Sequence, residues 1–144
     1  MILPCPSCHR LNRLPATRLL EHGKCAACKA TLSPVASPIA VRSVEEFDEL
    51  VRASTAPLLV DFWAAWCGPC RAAAPEVDKV AAEMAGRALV LKVNTDQHPE
   101  PSAQLGVQGI PTFVVFRDGR EVARQAGALP APAMNQWVSH QLIA

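Results

Sequence analysis

The chain has 144 residues, which is room for one ordinary domain and a short appendage but not for two full-sized domains. Half of its residues are hydrophobic and 19% are charged, which excludes wholesale disorder, and a net charge of +1 gives no general pull toward nucleic acid, membrane surfaces or acidic partners. No stretch approaches the ~18 apolar residues of a membrane span, and the N-terminus lacks the basic and apolar runs of a secretory signal, so a cytoplasmic protein is expected. In such a reducing setting the six cysteines, set out as three Cys-x-x-Cys pairs, read first as metal ligands or redox catalysts rather than structural disulfides.

Two of these pairs open the chain. Cys5-x2-Cys8 and Cys25-x2-Cys28 are separated by 16 residues, inside the spacing of a zinc ribbon. Each pair offers two thiolates from a tight turn, and the four together close the tetrahedral shell of one structural Zn²⁺, leaving no position for catalysis. His9 and His22 lie close in sequence, but four thiolates already satisfy the ion. The alternatives, two disulfides or extra redox pairs, sit badly with a reducing compartment. A piece this small cannot build an adequate core, so metal binding is expected to supply most of its folding free energy. The module is read as residues 1–32, followed by a Pro- and Ser-containing linker over 33–38 and a main domain over 39–144. Residues 1–40 carry Arg10, Arg13, Arg18, Lys24 and Lys29 against Glu21 alone, a net +4 against −3 for the remainder. That asymmetry admits a docking role toward nucleic acid or protein, although the near absence of aromatic residues leaves little for base stacking.

After the linker the pattern alternates between strand and helix periods. Pro38 to Val41 is a short extended stretch. Ser43 with Glu46 has capping-box spacing, and Val44, Phe47, Leu50 and Val51 give the helix that follows one apolar face. Leu58 to Trp63 reads as a buried strand. The next helix begins near Cys67, keeps Val77, Val80, Ala81 and Met84 at helical spacing, and contains Pro75, which is expected to kink it by removing a backbone donor. Ala88 to Asn94 is a second buried strand, and a short helix over Ser102 to Leu105 stops at Gly106. Thr112 to Arg117 and Glu121 to Gln125, joined by Asp118-Gly119, form a hairpin, and Met134, Trp137, Val138 and Leu142 mark a closing helix. The order β-α-β-α-β-α-β-β-α predicts a layered α/β domain with a parallel part and an antiparallel hairpin edge.

The third pair sits where a strand gives way to a helix. There the free N–H groups and the positive end of the helix dipole favour a thiolate, so Cys67 is expected to be the exposed nucleophile. Cys70, one helical turn inside, is placed to attack a mixed disulfide at Cys67 and resolve it. A third zinc knuckle would need two more ligands, and neither flank offers them. Asp61 is a carboxylate inside an apolar strand; burial would raise its pKa and suit it to proton transfer with the resolving thiol, whereas a solvated strand edge would leave it ordinary.

The run Leu59-Val60-Asp61-Phe62-Trp63-Ala64-Ala65-Trp66-Cys67-Gly68-Pro69-Cys70 resembles the active-site signature of the thioredoxin family, and the likeness extends from about Val41 to the C-terminus. Cys8-His9-Arg10-Leu11-Asn12-Arg13-Leu14-Pro15, followed by the second pair, resembles the N-terminal extension of the zinc-binding second class of bacterial thioredoxins. The resemblance implies a thioredoxin fold, a central mixed sheet flanked by helices, preceded by a small zinc ribbon. It implies a protein disulfide reductase that acts on disulfide-containing client proteins and is recharged by an NADPH-linked thioredoxin reductase. No organic cofactor and a monomeric state are expected. Gly68-Pro69 between the cysteines resembles the reducing members; oxidases and isomerases of this fold usually carry another pair. Asp61 looks like the family's buried acid/base and Lys92 like the lysine beside it, although strand alternation alone would produce an outward-facing lysine. Ile110-Pro111-Thr112 matches the position of a cis-proline facing the active site, and Trp66, Gly109 and Gly127-Ala128 resemble the surrounding groove. Trp63 and Trp137 are equally explained as core. Arg71 and Ala72-Ala73-Ala74 depart from the usual pattern.

Overall fold

The alternating periods resolve into a five-stranded mixed sheet with helices on both faces, preceded by two small hairpins. The computed structural model describes residues 2–15, 17, 20, 22–32 and 35–143. Arg18 and Glu21 of the charge asymmetry, and Ser33 and Pro34 of the expected linker, lie outside the described residues. At the N-terminus β1 (Ile2–Pro4) pairs antiparallel with β2 (Leu11–Arg13), and β3 (Gly23–Lys24) with β4 (Thr31–Leu32). These four short strands, which hydrophobic period does not announce, each flank one cysteine pair.

The main sheet runs β5-β7-β6-β8-β9, made of β5 (Ile39–Ala40), β6 (Leu58–Trp63), β7 (Leu89–Asn94), β8 (Thr112–Arg117) and β9 (Arg120–Ala126). Pairing is parallel across β5, β7 and β6 and antiparallel from β6 through β8 to β9. The helices are α1 (Val44–Ala53), α2 (Gly68–Glu83), α3 (Pro99–Gln104) and α4 (Ala131–Ile143). Element order and fold class are those read from the sequence. Among the described residues no helix is long and apolar enough to cross a membrane.

Local chemistry explains several boundaries. The Glu46 N–H donates to Ser43 Oγ at 3.0 Å, capping α1, while the Glu46 carboxylate accepts from the N–H of Arg42 at 3.1 Å. Asp118 and Gly119 both take positive φ, 52° and 79°, as a tight hairpin turn between right-twisted strands requires. The helix α3 starts at Pro99, three residues earlier than expected. Proline is a breaker inside a helix but a starter in its first turn, where its missing N–H is no loss. The chain stays helical through Pro75.

Strand alternation divides the core in two. Val60, Phe62, Leu91, Val93, Val114 and Phe116 meet Phe47 and Leu50 of α1. Leu59, Val90, Phe113 and Val115 meet Ala73 and Val77 of α2, with Met134 and Val138 of α4. Trp137, half-buried, packs against this second core. By the same alternation Asp61, Trp63 and Lys92 fall on the α2 side. Leu14, Leu20 and Val35, all ahead of the main sheet, pack against the α1 side, and Thr55 Oγ1 donates to the Thr17 carbonyl at 3.1 Å.

Candidate active site and metal centre

Where β6 ends, the chain turns through Ala64, Ala65 and Trp66 into α2, with Cys67 at the N-cap and Gly68 and Pro69 in the first helical positions. The Cys67 N–H donates to the Ala64 carbonyl at 3.2 Å, and the Arg71 guanidinium donates to the Ala65 carbonyl at 2.9 Å, bracing the turn. Cys67 and Cys70 are joined by a disulfide with their Cα atoms 5.2 Å apart. Cys67 Sγ accepts the N–H of Cys70 at 3.2 Å, at the positive end of a 16-residue helix. Once the bond is reduced, that donor and dipole favour a thiolate on Cys67.

The expectation of an exposed Cys67 is corrected. Cys67 is 4% exposed and Cys70 5%. The disulfide ties both sulfurs into the first helical turn, covered by Ala64, Trp63 and Ile110. Helix position, not accessibility, distinguishes the two cysteines. Trp66, by contrast, is 68% exposed.

Asp61 is buried, its Oδ1 has no hydrogen-bond partner among the described residues, and burial raises its pKa to about 6 against the attraction of Lys92. The parallel register sets Asp61 beside Lys92 of β7. The Lys92 ammonium lies 4.7 Å from the centre of the Trp63 ring, a cation–π contact that holds it over the inner face of the sheet. The structure therefore brings Asp61, Lys92 and Trp63 together rather than turning the lysine outward. Trp63 carries this charge instead of serving only as core.

The Ile110–Pro111 peptide bond is cis, and the Ile110 carbonyl oxygen lies 3.8 Å from Cys67 Sγ. Gly127, with φ of 87°, donates its N–H to the Pro111 carbonyl at 2.9 Å, so the loop after β9 lies along the proline. A Cβ at Gly109 or Gly127 would meet nothing within 4 Å, leaving the rim open to an approaching backbone. Trp66, Gly109 and Ile110 line a depression of about 240 Å³ that also includes Thr95, Ser102, Val107 and Gln108. Those four were not singled out from the sequence, because Thr95 after β7, Ser102 in α3, and Val107 and Gln108 beyond it are brought together with Trp66 only by the fold. Thr95 Oγ1 donates to the Trp63 carbonyl at 3.2 Å.

The first four cysteines form a second centre. Their Sγ atoms lie within 4.8 Å of one another, with Cys5 and Cys28 at 3.7 Å and Cys8 and Cys25 at 3.6 Å. Zinc–sulfur bonds of about 2.3 Å give a tetrahedron whose edges are about 3.8 Å, so the donor set fits Zn²⁺. The two turns are near copies. In the first, Cys5 N–H donates to the Arg10 carbonyl at 2.8 Å and His9 N–H to the Cys5 carbonyl at 2.9 Å; in the second, Cys25 N–H donates to Ala30 at 2.9 Å and Lys29 N–H to Cys25 at 3.0 Å. His9 and Lys29 take matching φ of 66° and 63°, so His9 serves the turn rather than the donor set. Donation from the Cys28 backbone leads in drawing the Cys25 thiol down to about 6 against burial, helped by Ala27 and the Asn12 amide. Sequence reading quoted Asn12 only as part of a motif; it is a buried partner of this centre.

Comparison with known proteins covers both parts. The thioredoxin family model matches residues 38–140, and a model described as the N-terminal region of thioredoxin 2 matches residues 4–30. Thioredoxin C-3 of Corynebacterium nephridii is 37% identical over 142 residues, covering 99% of this chain and 96% of its own. Thioredoxin 1 of Chlorobaculum tepidum is 47% identical over 94 residues, covering 65% of this chain and 93% of its own. Among solved structures, a single-site mutant of thioredoxin from Halobacterium salinarum superposes with a TM-score of 0.68 at 32% identity, covering 77% of this chain and 95% of that one.

Proposed function

The chain belongs to the thioredoxin family and is a thiol–disulfide oxidoreductase, and from that premise we propose that it works as a protein disulfide reductase through Cys67 and Cys70. Its partners are disulfide-containing client proteins and an NADPH-linked thioredoxin reductase, and it acts as a cytoplasmic monomer. The observation that carries the reading is the Cys67–Cys70 disulfide at the N-terminus of α2, with the carbonyl of Ile110 and the cis Pro111 alongside.

In the reduced protein the Cys67 thiolate attacks a client disulfide. One client sulfur leaves as a thiolate and the other is held as a mixed disulfide. The client backbone lies against Gly109, Ile110 and Gly127, with Trp66 and Pro69 as apolar rim, so recognition is mainly of main chain and tolerates many clients. Cys70 then loses its proton to Asp61, whose raised pKa places it near working pH, and attacks Cys67 Sγ. The client leaves as a dithiol and the disulfide seen here is restored, two electrons having passed. Lys92, held over Trp63, steadies the Asp61 carboxylate that accepts this proton.

One structural zinc is held by Cys5, Cys8, Cys25 and Cys28. When bound, it supplies folding free energy to the N-terminal hairpins and no catalysis, since four thiolates close its shell. NADPH-coupled reduction of a model disulfide protein, with zinc measured in parallel, tests both assignments. Cys67→Ser should lose turnover and keep zinc, and Cys5→Ser should lose zinc while still turning over. Turnover in Cys67→Ser would refute the mechanism. A potential of about −180 mV or above for the Cys67–Cys70 pair would place the protein among isomerases rather than reductases.

A further inference from the structure

The two cysteine turns differ at one matched position. Four residues after the second cysteine stands Asn12 in the first turn and Leu32 in the second, each 7% exposed. Leu32 packs with Cys5 and Cys25. Asn12 makes polar contacts instead: its Nδ2 donates to the Arg10 carbonyl at 3.0 Å and to Cys25 Sγ at 3.6 Å, and its Oδ1 accepts from the Ala26 N–H at 3.0 Å. A side chain rooted in β2, and not itself a ligand, therefore grips both a ligand of the opposite turn and the backbone next to it.

We propose that Asn12 is a positioning residue of the metal centre, a cross-turn brace that directs Cys25 Sγ and sets how long the ion is retained. The inference rests on the reading that the four cysteines hold zinc. Four thiolates leave a divalent ion's site net negative, and an N–H aimed at one sulfur offsets part of that charge. Asparagine supplies the donor and the acceptor on one planar group, which lets it bond sulfur and the Ala26 N–H together. Leucine branches at the same atom but is bulkier and supplies neither. Aspartate keeps the shape and the acceptor but turns a negative oxygen toward a thiolate, so it is the more disruptive substitution.

The test uses the full chain as wild type, Asn12→Asp and Asn12→Leu, each loaded with zinc and, separately, with cobalt(II). Zinc transfer to an excess of chromogenic chelator should be about 10–100-fold faster in the variants, fastest in Asn12→Asp, as expected when an outer-shell partner of a ligand is removed. The sulfur-to-cobalt charge-transfer absorption should shift with the same ordering. Asn12→Asp failing to load while Asn12→Leu loads is the extreme of that ordering. If neither loads, Asn12→Ser, which keeps a short donor, must load more tightly than Asn12→Ala, or the brace is refuted. Equal release from wild type and Asn12→Asp, or identical behaviour of the Asp and Leu variants, would also overturn the proposal. A wild-type chain that takes up no zinc would instead refute the metal reading itself.

Discussion

Cys67-Cys70 and the two N-terminal pairs share one spacing and differ in what the backbone does next. After Cys70 the chain stays helical to Glu83. After Cys8 and Cys28 it passes through positive φ at His9 and Lys29 and returns as an antiparallel strand. The helical continuation puts two sulfurs on one turn, near enough to bond, with free N–H groups to stabilise a thiolate. The turned continuation aims each pair at the other, which is why the close sulfur contacts are Cys5 with Cys28 and Cys8 with Cys25. Identical spacing thus yields a bonded sulfur pair in one place and a four-sulfur cluster in the other. The difference lies in the backbone that follows each pair, not in the motif.

The strongest way to break this comparison is Cys67→Ser. Turnover should fall by about a thousandfold or more, since the nucleophile is gone. Serine is nevertheless a good N-cap, and Ser43 already accepts the Glu46 N–H as Cys67 accepts that of Cys70. The thermal midpoint of Cys67→Ser should therefore match that of the reduced wild type. A large drop would mean that the sulfur holds α2 by something other than capping.

Next in size is Asp61→Asn. The folded oxidised chain binds the Asp61 proton more tightly than an exposed carboxyl does, about 6 against 3.8. Its favourable contribution to folding is fully present below about pH 4 and is lost as pH rises through 6, a change of about 3 kcal/mol. Asp61→Asn should thus be more stable than wild type by roughly that amount at pH 8 and nearly equal to it near pH 4, while its turnover slows. Denaturant unfolding at the two pH values checks this, and a gap that does not change with pH would count against it.

Metal removal sharpens the other half. A chelator should abolish amide protection in the N-terminal hairpins and leave that of α2 in place. Because Leu14, Leu20 and Val35 pack against the first core, losing about 2 kcal/mol of apolar contact should lower the overall midpoint by about 4–8 °C. An unchanged midpoint would show that the two parts are uncoupled. Smallest is Ser43→Ala, expected to cost about 1 kcal/mol by the loss of an oxygen cap, which calibrates what the sulfur cap at Cys67 is worth.

Much of the domain was legible residue by residue. Leu58–Trp63 and Thr112–Arg117 are strands with the boundaries that their apolar runs predict, and Ser43 and Asp118-Gly119 act where expected, because each signal is local. The cysteine spacing, with the runs around Cys5, Cys8, Cys67 and Cys70, pointed to both centres for the same reason. Lys92 remained ambiguous, since its place beside Asp61 and over Trp63 depends on the register of β6 against β7, a contact between segments about thirty residues apart. The covering of Cys67, the four extra residues of the groove and the reach of Asn12 to Cys25 were likewise decided by packing. The sequence by itself determined which elements form and which side chains can do chemistry, because propensity, caps and ligand type are properties of neighbouring residues. Only the tertiary structure decided which of them meet, because burial, charge and hydrogen bonds across strands and turns exist only once distant segments are held together.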